Sequence, residues 1–250
     1  MGSMWNDPKE GNTYPQDGTV QPEPFDAAHI RSDVTQFPAS KWGGDFKSQL
    51  ALAEYARTNW WSSIVIDVPR PPGSAEMEDE LRLLVDKQTN LRPARIEEIL
   101  AQQDEFQLYL VAQLGIGRRS HPNTYLLLKI VDRVGVLTMA SLKMRYNRVR
   151  PSHIYPRLFP PIDVPDHSSY PSGHALVSRL MAFAAIDVVP EMGDAPELMS
   201  QRISENREIA GLHFPSDTNA GYAAAEQVFP ILQNLTWYKR VRRDAKNEWS

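Results

Sequence analysis

The 250-residue chain has no cysteine, so disulfides and thiolate metal sites are excluded and the redox compartment stays open. It also lacks any stretch approaching the ~18 unbroken apolar residues of a membrane-spanning helix; even 175–189 is interrupted by Ser178, Arg179 and Asp187. The chain therefore reads as soluble, with no membrane span. Basic residues are not in excess: 27 Lys and Arg against 31 Asp and Glu give a formal charge of −4, which excludes the basic surface a nucleic-acid partner normally requires. Persuasive strand-like alternation and internal repeats are missing too.

What is present is helical periodicity. Apolar residues recur at helical spacing over 46–60, 75–90, 93–114, 123–149, 175–189, 196–210 and 217–235, with a short apolar run at 64–68 and a proline-rich break at 69–73. The pattern predicts an all-α, single-domain helical bundle over residues 46–240. Residues 1–45 are rich in proline, glycine and polar side chains, with Trp5, Phe25, Phe37 and Trp42 scattered among them. They read as an extended, partly disordered arm whose aromatics could dock on the body or on a second copy, so a homo-oligomer stays open. Residues 241–250 read as a tail. Met1-Gly2-Ser3 looks like a cloning remnant, which leaves the compartment undecided: periplasmic or secreted if a leader preceded it, cytoplasmic otherwise.

Three clusters carry the chemistry. Lys143 and Arg150 lie seven residues apart, which on a helix running through Val149 is two turns and puts both cations on one face about 10 Å apart, with Pro151 stopping the helix. An arginine fork and a lysine point charge suit a tetrahedral dianion. Pro171, Ser172 and Gly173 form a turn before a helix, so Ser172 falls at its N-cap, free N–H groups meet an anion there, and His174 projects from the same turn. Gly211 ends the helix carrying Arg207 and lets the chain turn so that Arg207 and His213 share one space. Asp217, four residues after His213, can hold one imidazole nitrogen and leave the other as a nucleophile. Each cluster alone also fits a plainer role: a solvated basic face that includes Arg145 and Arg148, a capping serine beside a structural histidine, or an aspartate at a helix start.

Taken together, the three resemble the motifs of the type 2 phosphatidic acid phosphatase superfamily, which includes bacterial non-specific acid phosphatases and vanadium-dependent haloperoxidases. Lysine, six residues and Arg-Pro match Lys143 to Pro151; Pro-Ser-Gly-His stands unchanged at Pro171 to His174; the third motif reads Asn206, Arg207, His213, Asp217. Asn206 replaces the family's serine, and Ala175 replaces the threonine usual in the periplasmic acid phosphatases.

The resemblance implies a helical bundle of the acid phosphatase/vanadium haloperoxidase type that cleaves small phosphate monoesters without a metal or other cofactor. Lys143, Arg150, Ser172, Gly173 and Arg207 would bind the phosphoryl oxygens. His213, oriented by Asp217, would form a phosphohistidine, and His174 would protonate the leaving oxygen and then activate water. The same pocket could instead hold vanadate ligated at His213, as in a haloperoxidase, or capture a phosphorylated ligand without turnover. The loop 152–170 is expected to form one wall of the pocket mouth, offering His153, Tyr155, Arg157, His167 and Tyr170 as further substrate contacts. His29 and His121 receive no chemistry.

Overall fold

Helical spacing in the sequence is realised as helices and no strands among the described residues, which are Ala27, Gln36, Phe37, 41–103 and 105–250 of a computed structural model. In chain order these are α1 (Gly44–Ala56), α2 (Trp60–Ser63), α3 (Ala75–Asn90), α4 (Arg92–Ala101), α5 (Phe106–Gln113), α6 (Pro122–Tyr146), α7 (Pro151–Ile154), α8 (Gly173–Val188), α9 (Ala195–Ile209), α10 (Pro215–Asn234) and α11 (Thr236–Lys246). The arm expected over 1–45 lies for its greater part outside the described residues; helix α1 takes in its last two positions. His29 also lies outside them.

Helix α8 is apolar on nearly every side, with Leu176, Val177, Leu180, Met181, Ala184 and Ala185 buried, and it is packed by α6, α9 and α10. Small residues let the neighbours come close. A Cβ on Gly221 of α10 would sit 2.7 Å from the Ser172 carbonyl oxygen and 2.8 Å from the Ala175 Cβ, so only glycine permits this approach. The Ser172 N–H donates to the Asp217 carbonyl at 2.9 Å, which locks the start of α8 to the start of α10. Core packing thus fixes the second and third motifs against each other.

Three expectations need correction. The stretch expected as one helix over 93–114 is two, α4 and α5, separated at 102–105, where no proline or glycine marks a break. The helix expected through Val149 ends at Tyr146, because Asn147 adopts left-handed geometry (φ 44°) and its N–H closes on the Lys143 carbonyl. The residues expected as a tail are packed. Tyr238, Val241 and Ala245 form a buried stripe on α11, and Arg242 grips Asp187 with two bonds of 2.6 Å. Beyond α11, the Glu248 carboxylate caps α6 by accepting from the Asn123 and Thr124 N–H groups at 2.6 and 2.9 Å. Trp249 stacks on His121 at 4.0 Å, which gives His121 a structural role. The charged composition of 239–250 hid this, since a narrow apolar stripe suffices for a helix lying along α6.

The loop 152–170 is held down. Leu158 packs with Met77, Leu84 and Phe214, while Ile162 packs with Ile99, Ile209 and Leu212. Arg92 pins loop and bundle together, donating to the carbonyls of Leu158, Phe159 and Ile209. None of the helices among the described residues is long and apolar enough to cross a membrane.

Candidate active site

Lys143 sits in the last turn of α6, and Arg150 lies beyond the end of that helix at the N-cap of α7, so the two cations do not share a helix face as expected. They converge nonetheless on one strip of backbone just before the Pro-Ser-Gly-His turn. Lys143 Nζ donates to the carbonyls of Ser168 (2.6 Å) and Ser169 (2.9 Å). Arg150 donates to those of His167 (3.0 Å) and Leu212 (2.9 Å). Burial and the neighbouring Arg150 lower Lys143 to about 7, and burial lowers Arg150 to about 10.

His213 is buried beneath them. Its Nδ1 lies 3.2 Å from Asp217 Oδ2, and its Nε2 lies 3.4 Å from an Arg150 Nη. A carboxylate only accepts and a guanidinium only donates, so both partners require the proton on Nδ1 and the lone pair on Nε2. Asp217 lies in the first turn of α10 and holds two further donors, the Phe214 N–H at 3.0 Å and Arg148 at 2.6 Å. Burial pushes its carboxyl upward, and Arg148 with the Phe214 N–H opposes that push.

Arg148, which the plainer reading of the first cluster places on a solvated face, is buried. It bridges Asp217 and Glu80 (3.1 Å) and lies 3.9 Å over the Phe214 ring. Glu80 in turn accepts from the Ser216 N–H at 2.6 Å. No sequence signal separates Arg148 from Arg145, because its partners come from α3 and α10.

Ser172 is the N-cap of α8, with its hydroxyl oxygen accepting from the Ala175 N–H at 3.4 Å, and Gly173 and His174 form the first helical turn. The His174 ring packs on Phe106 at 4.4 Å, and its Nε2 lies 3.2 Å from the Gln102 carbonyl. Phe106 and Gln102 flank the unforeseen break between α4 and α5.

Arg207, buried in the last turn of α9, completes the set; Gly211 (φ 78°) ends the chain segment after it, and the Leu212 N–H returns to the Arg207 carbonyl at 3.1 Å. Both imidazoles are held well below the usual histidine range. For His174 the causes are burial, then Arg207, His213 and, more weakly, Lys143; for His213 they are burial, then Arg150, Lys143 and Arg207. Lys143 and Arg207 therefore act on both rings.

Of the further loop candidates, His167 reaches the site: its exposed ring places Nδ1 3.1 Å from an Arg150 Nη. Tyr170 is buried and donates to the Asp67 carbonyl at 2.6 Å, which is a structural role. Tyr155 packs against the Leu158 and Phe214 cluster. His153 and Arg157 are exposed.

No protein-family model matches the chain. Over 129 residues it is 26% identical to the non-specific acid phosphatase of Providencia stuartii, covering 50% of this chain and 52% of that relative. Over 138 residues it is 27% identical to the non-specific acid phosphatase of Salmonella typhimurium, covering 53% and 55%. The chain thus spans about half the length of the curated relatives it matches. A crystal structure of a transmembrane PAP2 type phosphatidylglycerolphosphate phosphatase from Bacillus subtilis aligns over 76% of this chain and 94% of its own, with a TM-score of 0.46 and 19% identity. With three motifs in the family's order and similarity to named acid phosphatases across half its length, the chain resembles the type 2 phosphatidic acid phosphatase superfamily.

Proposed function

We propose that the chain is a metal-independent phosphomonoesterase that acts on small phosphate esters through a phosphohistidine on His213. The observation that carries this reading is the shared field: two imidazoles, one with its lone pair fixed on Nε2 toward Arg150, lie in the field of the same buried cations. The name of the curated relatives, non-specific acid phosphatase, agrees with it.

Phosphoryl transfer asks mainly for positioning and charge stabilisation. Lys143, Arg150 and Arg207 supply positive charge, and the Ser172 hydroxyl with the first N–H groups of α8 supplies neutral donors. Nε2 of His213 attacks phosphorus as the bond to the leaving oxygen breaks, and His174 gives that oxygen a proton. Water then attacks the phosphohistidine, returns a proton to His174, and releases phosphate from His213. Asp217 stabilises the positive imidazole formed in between.

Low histidine basicity suits both roles. His213 needs its lone pair on Nε2, and burial with the surrounding cations keeps the ring neutral. His174 must carry two protons to act as an acid, which a bound dianion favours by offsetting Arg207 and Lys143.

The test is turnover of p-nitrophenyl phosphate in excess chelator, with inhibition by vanadate and near-complete loss in His213→Ala. Loss of turnover in chelator with recovery on adding a divalent metal would overturn the proposal.

A further inference from the structure

Helix α4 ends at Ala101, and Gln102 is its C-cap, so the Gln102 carbonyl belongs to the terminal acceptors that have no partner within the helix. His174 Nε2 lies 3.2 Å from that oxygen. A carbonyl oxygen only accepts, so the contact requires a proton on Nε2. The negative end of the α4 dipole favours the same arrangement.

The position of this carbonyl is itself fixed. The Gln102 side chain is wholly buried, and its Oε1 accepts from the Asn206 amide at 2.9 Å. The same amide nitrogen donates to Glu98 Oε2 at 2.9 Å, while Arg95 donates to the Asn206 oxygen at 3.2 Å. Arg202 holds Glu98 from outside with bonds of 2.7 and 3.1 Å. A serine at 206 would bring one O–H where this network uses two acceptors and one donor, so the departure from the family's motif has a specific consequence here.

We infer that Asn206 and Gln102 are positioning residues that keep the His174 proton on Nε2, so that the proton exchanged with substrate moves at Nδ1. Its second clause rests on the phosphatase reading. In the forward step the Nδ1 proton passes to the leaving oxygen as the phosphorus–oxygen bond breaks. In the return step the attacking water gives its proton back to Nδ1, and the other proton stays on Nε2, donated to the Gln102 carbonyl, throughout. The two histidines would then work through opposite nitrogens.

The charged and titratable groups facing His174 are Arg207 from α9, Lys143 from α6 and His213, all of which oppose its protonation, while the Gln102 carbonyl from α4 supports it. Loosening that carbonyl should therefore make His174 harder to protonate.

The experiment compares wild type with Asn206→Ala and Gln102→Ala, two uncharged changes; if the first does not fold, the second carries the test. Nitrogen-15 spectra of His174 should give the Nε2–H tautomer in the wild type, and its titration should move about half a pH unit or more lower in the variants. The alkaline limb of kcat for p-nitrophenyl phosphate should move the same way, with kcat down about tenfold and KM within about twofold. A wild-type Nδ1–H tautomer, or variants that titrate as wild type does, overturns the inference. Absence of wild-type turnover defeats the phosphatase reading alone, because the tautomer is read without it.

Discussion

The two histidines are oriented by opposite means. On the His213 side the orienting group is a carboxylate four residues along the chain, itself gripped by the buried Arg148 and, through it, by Glu80. On the His174 side it is a neutral backbone carbonyl from a helix end 72 residues away, steadied by amides. A charged partner can offset the positive imidazole that the proposed phosphohistidine step would form on His213. A neutral partner fixes a tautomer while leaving the ring free to gain and lose its other proton. The contrast agrees with the proposed division between nucleophile and acid/base.

The comparison is broken most severely by Asp217→Asn. Two carboxylate oxygens now accept three N–H groups, and an amide turns one acceptor into a donor facing one of them. Turnover should fall about 10³- to 10⁴-fold, as when a histidine is left in the wrong tautomer, while steady-state kinetics show little change in KM.

Arg148→Met tests the charge pairing behind Asp217. Removing one partner strands Asp217 and Glu80, so denaturant unfolding should show a loss of about 3–5 kcal/mol. A loss within about 0.5 kcal/mol, the range of an ordinary surface change, would make Arg148 the solvated residue its sequence context suggests.

The smallest effect is a proton count. Lys143 is lowered to about 7 in the fold, whereas an unfolded lysine stays near ~10.4. The unfolded chain therefore binds more protons between those values, so this group's contribution to stability rises with pH across that window and is least favourable below about 7. Phosphate bound beside Lys143 favours its charged form. Calorimetry at about pH 8 in buffers of different ionisation enthalpy should then show uptake of up to about one proton per phosphate, weakened in Lys143→Met.

Local features of the fold and site were legible in the sequence. The local placement of Ser172, His174, Arg207, His213 and Asp217 could be read because a capping turn, a helix-ending glycine and a four-residue spacing are short-range patterns. Long-range features were not legible. The left-handed Asn147 breaks a helix whose apolar period continues, and the gap after α4 falls in a polar stretch without proline or glycine. Gln102, Phe106, Arg148 and Glu80 acquire their roles only from partners on other helices. The last helix was missed because its apolar stripe is narrow and its surroundings are charged.

The account depends on one anion meeting both rings. The direct measurement is a titration with inorganic phosphate followed by the nitrogen-15 resonances of His174 and His213 on the folded chain. The account predicts that both move along one binding curve, His174 toward its protonated form. Movement of one ring alone, or two curves with different midpoints, would contradict it.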